Sequence, residues 1–285
     1  MPEPSDGTIG ADDSVLQDPA FRALVDAVRE LSSGHLAMVT GAGVSLASGI
    51  PTFRGDDEGA VWKDDILEMG TFRFFRSDPV ASWVWTREKF SKIPGAEPNP
   101  AHTAMARLHR SHEVQGGKAT TLTQNIDTLH QKAGSTDVIN VHGTVERVRC
   151  ATDGCANGSP RGSLDFPHAA FEAFYADPGF ETLPKCDVCG DVLRQHVLWF
   201  DEFYAEHEDY QWERVQDTIR TMDLLLFVGT SFSVGVTDAF LSTALMRGVP
   251  VFLVDPGSET PVDQLTHVKA KAEIALPALC AALGW

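Results

Sequence analysis

The chain has 285 residues, of which 43% are hydrophobic and 22% charged, and its formal net charge at pH 7 is −17. This composition is ordinary for a globular protein, and no apolar run approaches the roughly 20 residues that a membrane span requires. The charge disfavours direct nucleic-acid binding, because a duplex-binding protein needs a basic surface to displace counterions. A negative surface would instead attract lysine-rich protein segments, although an adaptation for solubility explains the same charge.

The N-terminal sequence predicts a mobile acidic tail over residues 1–17, followed by the first helix. The tail lacks the basic start and the apolar stretch of a signal peptide, so we expect a cytoplasmic protein. Asp18 and Pro19 are typical of an N-cap followed by a first-turn proline. Apolar residues then recur at helical spacing, and Gly34 closes the helix.

A short apolar run at residues 36–40 predicts a buried strand that enters a glycine turn at 41–43. Glycines let the backbone approach a pyrophosphate, and a following helix N-terminus favours negative charge. Leu46 stands where a dinucleotide fingerprint has its third glycine, and no phosphate-binding Gly-Lys-Ser/Thr follows. A purely structural turn is therefore an alternative. Arg54 favours the binding interpretation, because its guanidinium can neutralise phosphate.

Four further apolar runs predict buried strands. They lie at residues 120–123, 138–141, 224–228 and 251–254. Helical stretches occur between several of them, for example at 100–109 and 237–246. Short apolar strands that alternate with helices are typical of a parallel sheet covered on both faces. The predicted fold class is α/β: a doubly wound, Rossmann-like domain over residues 18–149 and 190–285.

Residues 150–189 break this alternation and predict a small inserted module, rich in Gly, Pro, Asp and Ser. Cys150 and Cys155 form one close pair, and Cys186 and Cys189 form another. Each pair can place two thiolates on one metal ion, and two pairs complete a tetrahedral zinc site that is structural because no position remains for water. Disulfides are the weaker interpretation without an export signal, and a redox pair would leave the first two cysteines unexplained.

Polar residues follow three of the predicted strands: Gln-Asn-Ile-Asp at 124–127, then His142, then Gly-Thr-Ser at 229–231. Open α/β sheets bind ligands at the carboxyl ends of their strands. An imidazole titrates near pH ~6.5, which suits a general base at neutral pH. Taken alone, the amides and the carboxylate at 124–127 are as likely to be capping groups as a binding site, and most of the ten histidines are expected to be surface or structural residues.

The ordered set of motifs resembles the sirtuin family, of the prokaryotic type. Residues 41–55, Gly-Ala-Gly-Val-Ser through Ser-Gly-Ile-Pro-Thr-Phe-Arg-Gly, are similar to the family's NAD-binding signature. Further similar blocks follow in the same order along nearly the whole chain. They are 123–130, 142–144, the two cysteine pairs, 196–200 and 229–231. The resemblance implies an NAD-dependent protein-lysine deacylase, most simply a deacetylase, with acyl-lysine proteins or peptides as substrates.

The resemblance also implies roles for individual residues. His142 would be the catalytic base, Asn125 would orient the nicotinamide ribose and a water, and Asp127 with Ile126 would hold the carboxamide. The NAD pocket would comprise Gly41, Ala42, Gly43, Phe53, Arg54, Gln124, Asn125, Ile126, Asp127, Gly229, Thr230, Ser231 and Asp255. The substrate backbone would pair, as an added strand, with Val197, Leu198, Trp199 and Phe200.

The reaction implied by the resemblance consumes NAD, releases nicotinamide and leaves the acyl group on ADP-ribose. An alternative is that the same site transfers ADP-ribose to protein or water. A third hypothesis is a non-catalytic NAD- or zinc-binding module. The presence of His142, Asn125 and Asp127 together argues against the third hypothesis, because a binding module has no need of a base.

Two departures from the family pattern concern the acyl group. Thr52 stands where many deacetylases carry Asp, and resembles the branch that removes acidic acyl groups. That branch also uses a Tyr-x2-Arg pair, in whose places this chain offers Trp83 and Thr86, with Arg87 out of register. We therefore expect an acetyl or longer neutral acyl substrate.

Three other departures lie near the binding segments. Asp201 replaces the glycine that usually follows the substrate strand, and it keeps ADP-ribosyl transfer open as an alternative. Asp255 replaces an Asn that contacts the adenosine ribose, a role that Asp can also fill. Gly235-Val236 replaces a proline-containing stretch and is interpreted as a loop variation.

Overall fold

A computed structural model describes residues 13–52, 66–257 and 260–285. The strands of these residues are β1 (His35–Thr40), β2 (Lys118–Thr123), β3 (Val138–Asn140), β4 (Gly143–Cys150), β5 (Leu164–Asp165), β6 (Leu193–Val197), β7 (Leu224–Val228), β8 (Val251–Val254) and β9 (Thr266–Val268). The α-helices are α1 (Asp13–Gln17), α2 (Pro19–Leu31), α3 (Ile66–Met69), α4 (Phe72–Ser77), α5 (Pro79–Lys89), α6 (Pro100–Val114), α7 (Leu129–Lys132), α8 (His168–Ala176), α9 (Trp212–Thr221), α10 (Gly235–Arg247) and α11 (Ala272–Leu283). Three 3-10 helices span Ala42–Ser48, Tyr204–Glu206 and Glu208–Tyr210.

Six strands form a parallel sheet in the order β3-β2-β1-β7-β8-β9. This is the doubly wound order, in which the chain runs outward from β1 to one edge and then from β7 to the other. The predicted α/β class is thereby confirmed. The strand order reverses between β1 and β7, and the fold places a ligand crevice at the carboxyl ends of those two strands.

The first helix forms for the predicted reason. The Asp18 carboxylate accepts the Ala20 N–H at 2.9 Å, and Pro19 occupies the first turn. Apolar side chains at helical spacing are buried against one face of the sheet: Phe21, Leu24, Val25 and Val28. Burial of such a side chain contributes about 1.5–3 kcal/mol. The helix ends at Leu31, three residues before the predicted closing glycine.

The predicted mobile tail over 1–17 does not hold for its last five residues. These residues form α1, and the Val15 side chain is buried in the same core as α2, at 8% exposure. Residues 1–12 lie outside the described part of the chain.

The two faces of the sheet bury alternate residues of each strand. Leu36 and Met38 of β1 pack with α2, α6 and α11, whereas Ala37 and Val39 pack with α9 and α10. This two-sided burial explains why the strands are continuous apolar runs. Within the described residues, no helix has the length and apolarity needed to cross a bilayer.

A second, smaller unit contains an antiparallel sheet in the order β5-β4-β6. Its core joins the cysteine-bearing segment to α4 and α5, because Phe75 and Trp83 pack in one cluster with Phe171 and Phe174. The predicted boundaries at 150 and 189 are therefore too narrow. β4 and β6 reach beyond both of them, and α4–α5, predicted within the large domain, belongs to this unit.

Candidate active site

A cleft of about 950 Å³ lies at the carboxyl ends of the parallel strands, where the small unit meets the large domain. The loops after β1, β2, β3, β7 and β8 form its walls. All of the described residues that the sequence predicts for catalysis, NAD binding and substrate binding line this one cleft. They are Gly41, Ala42, Gly43, Gln124, Asn125, Ile126, Asp127, His142, Val197, Leu198, Trp199, Phe200, Gly229, Thr230, Ser231 and Asp255. Phe53 and Arg54 lie outside the described residues.

The glycines of the first loop allow two backbones to touch. A Cβ on Gly43 would lie 2.8 Å from the Gly229 Cα, and a Cβ on Gly41 would lie 2.7 Å from the Gly229 carbonyl oxygen. Gly229 has a φ of +56°, and its own Cβ would meet the Val44 nitrogen at 2.6 Å. The loops after β1 and β7 therefore pack backbone to backbone at the switch point, and a side chain at any of these three glycines would force the loops apart.

Asn125 and Asp127 are buried and share a hydrogen-bond network that centres on Ser45. Asn125 Nδ2 donates to the Gly41 carbonyl at 3.1 Å and to Ser45 Oγ at 3.0 Å. Ser45 Oγ in turn donates to Asp127 Oδ2 at 2.9 Å, and Asp127 Oδ1 accepts the Leu129 N–H at 3.0 Å. The network fixes the planes of the amide and the carboxyl. Sequence reasoning missed Ser45, although it stands inside the Gly-Ala-Gly-Val-Ser motif.

Burial raises the pKa of the Asp127 carboxyl, and the hydrogen bonds from Leu129 and Ser45 offset part of that rise. Two histidines lie next to this network and are uncharged at neutral pH: His102 is 3.5 Å from Ser45 Oγ, and His130 is 3.1 Å from Thr40 Oγ1. Burial lowers the pKa of His102 to about 4 and holds that of His130 well below its ordinary value. No imidazolium from this pair therefore stabilises the Asp127 carboxylate.

His142 follows β3, and the loop turns at Gly143, whose φ is +71°. Its Nδ1 lies 2.7 Å from the Gln124 carbonyl oxygen. A carbonyl oxygen only accepts, so Nδ1 carries the proton and Nε2 keeps a lone pair. Burial lowers the pKa of His142, while the bond to Gln124 opposes that change. The imidazole is therefore neutral at pH 7, as a general base must be.

Tyr204 is a second residue that the sequence did not reveal. Its hydroxyl lies 3.4 Å from His142 Nε2, and the two rings are parallel, with centroids 5.8 Å apart. The Trp212 ring stacks on the other side of Tyr204, at 4.8 Å between centroids. No motif marks Tyr204, because its contact with His142 depends on the path of residues 198–212.

The predicted substrate strand lies between the catalytic loop and α3. The Leu198 N–H donates to the His142 carbonyl at 2.9 Å, and the Phe200 N–H donates to the Gly70 carbonyl at 3.1 Å. Val197 and Trp199 are buried, whereas Phe200 is 50% exposed at the mouth of the cleft. Only Val197 belongs to β6, so the segment is extended but is paired irregularly beyond it.

The buried carboxylate of Glu202 holds the end of this segment. It accepts the Trp199 N–H at 2.9 Å and pairs with Arg194 at 2.8 Å and Arg149 at 3.1 Å. Burial alone would raise the pKa of Glu202, but the two guanidinium groups hold it below its ordinary value. The two arginines, which are almost fully buried, thus depend on one carboxylate.

Trp83 and Thr86, which stand in the places of the Tyr-x2-Arg pair, do not line the cleft, and neither does Arg87. The Trp83 indole N–H donates to the Leu193 carbonyl at 2.9 Å inside the small unit, and Thr86 Oγ1 donates to the Ser82 carbonyl at 2.8 Å. Arg87 lies over the Tyr175 ring. Other residues of α5 and of the loop that follows it line the cleft instead. Those lining the cleft are Trp85, Lys89, Phe90, Lys92 and Ile93.

Asp201 does not line the cleft either. Its carboxylate accepts the N–H groups of Phe72 and Arg73, at 2.6 and 3.0 Å. An acidic side chain at the N-terminus of a helix satisfies free amides and interacts favourably with the helix dipole. Asp201, which was the residue that kept ADP-ribosyl transfer open, thus binds the first turn of α4.

The structure also places the other residues that depart from the family pattern, namely Asp255, Thr52 and the pair at 235–236. Asp255 lines the cleft while its Oδ1 accepts the Gly257 N–H at 2.7 Å. Thr52 also lines the cleft. Gly235 begins α10, so the 235–236 change lies at a helix start and not in an irregular loop.

The four cysteines of the small unit converge as predicted, and none forms a disulfide. Cys150 Sγ lies 3.3 Å from Cys189 Sγ, and Cys155 Sγ lies 3.7 Å from Cys186 Sγ. All four sulfur atoms are within 4.8 Å of one another. Zinc–sulfur bonds of about 2.3 Å place tetrahedral sulfurs about 3.8 Å apart, so the cluster fits a structural zinc ion.

A sequence model of the Sir2 family matches residues 41–236, more than half of the chain. An NAD-dependent protein deacylase of Thermus thermophilus is 36% identical over 238 residues, which cover 83% of this chain and 85% of that protein. A Sir2 homologue solved in complex with NAD has a TM-score of 0.74 and 31% identity, over 92% of this chain and 93% of that one. A Sir2 structure with a p53 peptide and NAD+ has a TM-score of 0.73 and 26% identity, over 93% of this chain and 98% of that one. With these likenesses and the arrangement of the cleft, the chain belongs to the Sir2 family, the sirtuins.

Proposed function

We propose that this protein is an NAD-dependent protein-lysine deacylase that releases nicotinamide and O-acyl-ADP-ribose. The observation that carries the proposal is the state of His142 in the cleft. Because Nδ1 is committed to the Gln124 carbonyl, the neutral ring presents a basic Nε2 among the residues of the cleft. The Thermus thermophilus relative is named for this activity, and Sir2 structures contain NAD, in one case together with a peptide.

NAD would lie across the switch point of the sheet. Its pyrophosphate would contact the backbone of residues 41–43 and 229–231, which lines the cleft. Asn125 and Asp127, held in fixed planes by Ser45, would orient the ribose and the nicotinamide carboxamide. Arg54 and Phe53 remain predicted members of this pocket.

In the proposed reaction NAD supplies an electrophilic ribose carbon, and nicotinamide is the leaving group. The carbonyl oxygen of acyl-lysine attacks that carbon. Nε2 of His142 then takes a proton from the ribose diol, which allows a ribose oxygen to attack the acyl carbon. Lysine leaves as the amine, with the proton that His142 took up, and water adds to the cyclic cation that remains. The acyl group thus ends as an ester on ADP-ribose, and the second ribose oxygen becomes a hydroxyl. Hydrogen bonds of the peptide backbone to residues 197–200 would align the acyl-lysine for this attack.

The cysteine cluster would have no part in these steps. Four thiolates fill the coordination shell of zinc, so its contribution would be to the folding of the small unit.

The acyl group is proposed to be acetyl or a longer neutral chain. Trp85, Phe90 and Ile93 give the cleft an apolar wall. Lys89 and Lys92 line the cleft as well, so a test of acyl preference must include anionic groups. Transfer of ADP-ribose to protein or water rested on Asp201, and with Asp201 engaged on α4 no described residue favours that alternative. The cytoplasm remains the predicted compartment.

The test is an assay of purified protein with NAD and peptides that carry acetyl, longer neutral or anionic acyl-lysine. We expect nicotinamide and O-acyl-ADP-ribose in equal amounts. In His142→Ala, we expect turnover to fall by about 10²–10⁴-fold, the usual contribution of a general base, with NAD affinity and melting temperature retained. NAD cleavage at the same rate with and without every acyl peptide would contradict deacylation, and no cleavage would contradict an enzyme.

A further inference from the structure

Two histidines and a carboxylate converge outside the cleft, where β6 meets residues 204–210. His196 Nε2 lies 3.1 Å from Asp209 Oδ2, and His207 Nδ1 lies 3.8 Å from the same oxygen. One ligand atom of each residue lies within 4.8 Å of the other two. Bonds of about 2.0–2.2 Å from zinc to nitrogen and oxygen place tetrahedral ligand atoms roughly 3.4 Å apart. The distances from Asp209 Oδ2 to the two histidine nitrogens, 3.1 and 3.8 Å, thus lie on either side of the separation that a shared ion would impose.

The protonation of His207 suits a ligand. Its Nε2 lies 3.1 Å from the Gly162 carbonyl oxygen, which only accepts, so Nε2 carries the proton and Nδ1 has the lone pair. This arrangement, in which one ring nitrogen donates to a carbonyl, is the usual one for a histidine that binds metal through the other. In the present structure Nδ1 accepts the Asp209 N–H at 3.1 Å. Metal binding would replace that single backbone hydrogen bond.

The second observation concerns His196, which is 1% exposed. Among the described residues, its Nδ1 has no hydrogen-bond partner, and its Nε2 lies 3.1 Å from Asp209, within ion-pair distance but outside good hydrogen-bonding geometry. Buried polar groups are nearly always paired, and an orphan group needs an explanation such as an ion that would bind there. The position of Nε2 close to a carboxylate, but not aimed at it, is the one that two ligands of a common ion adopt.

The site has an open side. His196 and Asp209 line a separate cavity of about 580 Å³, to which Asn140, Arg147 and Glu208 also contribute. The Arg147 guanidinium pairs with Asp165 at 2.7 Å. Water in this cavity could complete the coordination of the ion. The Asp209 carboxylate is held in place by Ser163, whose Oγ donates to Oδ2 at 2.7 Å. Such outer hydrogen bonds hold ligand carboxylates in place at metal sites.

We propose that His196, His207 and Asp209 form a second metal site, which binds a divalent transition-metal ion such as Zn²⁺ through two nitrogens and one oxygen. It is distinct from the cysteine cluster in its place and its donors. The ion would tie residues 204–210, which include Tyr204, to β6 immediately before Val197. This proposal concerns binding alone and does not depend on the proposed deacylase activity.

The test uses the full chain with one equivalent of Zn²⁺ in the cysteine site, titrated with Co²⁺ and followed by visible absorption and calorimetry. We expect one further equivalent to bind, with the visible bands of tetrahedral cobalt and without the near-ultraviolet band of thiolate ligands. Asp209→Asn and His207→Gln should each weaken Co²⁺ binding at least tenfold. Asp217→Asn removes an exposed carboxylate that pairs with Arg220 on α9, and it should bind Co²⁺ as the wild type does.

Three results would overturn the proposal: no bound Co²⁺ at millimolar excess, a thiolate-type spectrum, or unchanged affinity in folded Asp209→Asn. Circular dichroism establishes that each variant is folded. If both variants unfold, the wild-type titration still decides, because a one-equivalent tetrahedral spectrum of nitrogen and oxygen ligands supports the proposal and its absence refutes it.

Discussion

The two ends of the β4–β6 pair differ in what holds them together and in what they do. At one end, Cys150 pairs with Leu193, and the cysteine cluster lies beside them. At the other end, Gly143 pairs with Val197, next to the catalytic loop and the start of the substrate segment. The first end is formed by side chains that would share one ion. The second end is formed by backbone hydrogen bonds and by two buried arginines, Arg149 and Arg194, that share the Glu202 carboxylate.

The cleft therefore depends on the cysteine end of the β4–β6 pair, although the cysteines lie outside it. His142 is the residue immediately before β4, and β4 ends at Cys150. A change at the cysteine end should therefore reduce folding and activity together. A change to a cleft residue that carries no buried ion pair should reduce activity with little loss of stability. Substitutions at the two ends test this distinction.

The largest effect is expected for Cys186→Ser. Structural zinc contributes an apparent free energy of about 10–16 kcal/mol in small zinc domains, and three thiolates hold the ion far less tightly than four. The zinc content should fall by one equivalent per chain, and the melting temperature and the turnover should fall together. Cys280→Ser is the matched control, because Cys280 is buried in the large domain and donates only to the Ala104 carbonyl. Unchanged zinc content in Cys186→Ser would show that the cluster is not a zinc site.

A smaller loss of stability is expected for Glu202→Gln. Removal of one partner from a buried ion pair costs about 3–5 kcal/mol, and here both Arg149 and Arg194 would lose their counterion. Chemical denaturation should show this loss, and the Michaelis constant for peptide should rise because the Trp199 N–H loses its charged acceptor. Glu206→Gln changes an exposed carboxyl four residues later and should stay within about 0.5 kcal/mol of the wild type. Equal stability of the two variants would mean that the pairs contribute nothing.

Much of the fold could be predicted because its signals are local. The strands at 224–228 and 251–254 begin and end where their apolar runs do, and the Asp18-Pro19 cap marks the start of α2. The close spacing within each cysteine pair is also a local signal, and it predicted the metal cluster. By contrast, β9 was missed, because its three residues, Thr266–Val268, are too few and too polar to form an apolar run.

The features that could not be predicted depend on residues far apart in the chain. Trp83 packs against Phe171, about 90 positions later in the chain, so no local pattern places it there. The Asp201 carboxylate caps a helix that begins 129 residues earlier. Tyr204 meets His142 across 62 residues. Motif comparison located the cleft, whereas the partners that orient its side chains required the folded chain.

Within the cleft, Ser45→Ala should reduce activity with little effect on folding. It removes the hydroxyl that accepts from Asn125 and donates to Asp127, so both planes become less fixed. Loss of a buried hydrogen-bond partner costs about 1–3 kcal/mol, and a tenfold fall in kcat/KM with NAD is expected. Ser48→Ala, in the same 3-10 helix but outside the cleft, removes only an acceptor of the Asn99 amide and should leave kcat/KM unchanged. Equal kcat/KM in both variants would exclude a positioning role for Ser45.

The smallest effect is expected in the pH profile and concerns Tyr204. Only neutral His142 can act as a base, and burial lowers its pKa, so kcat/KM should remain level as pH falls to about 6.5 and decline only below that value. A hydroxyl that donates to Nε2 also stabilises the neutral ring. Tyr204→Phe keeps the stacking on His142 and Trp212 but loses that donor, so the acid limb should move upward by a fraction of a pH unit, with less than a tenfold change in the plateau. An acid limb above pH 7 in the wild type would contradict a buried neutral base. A limb that does not move in Tyr204→Phe would show that the tyrosine contributes only its ring.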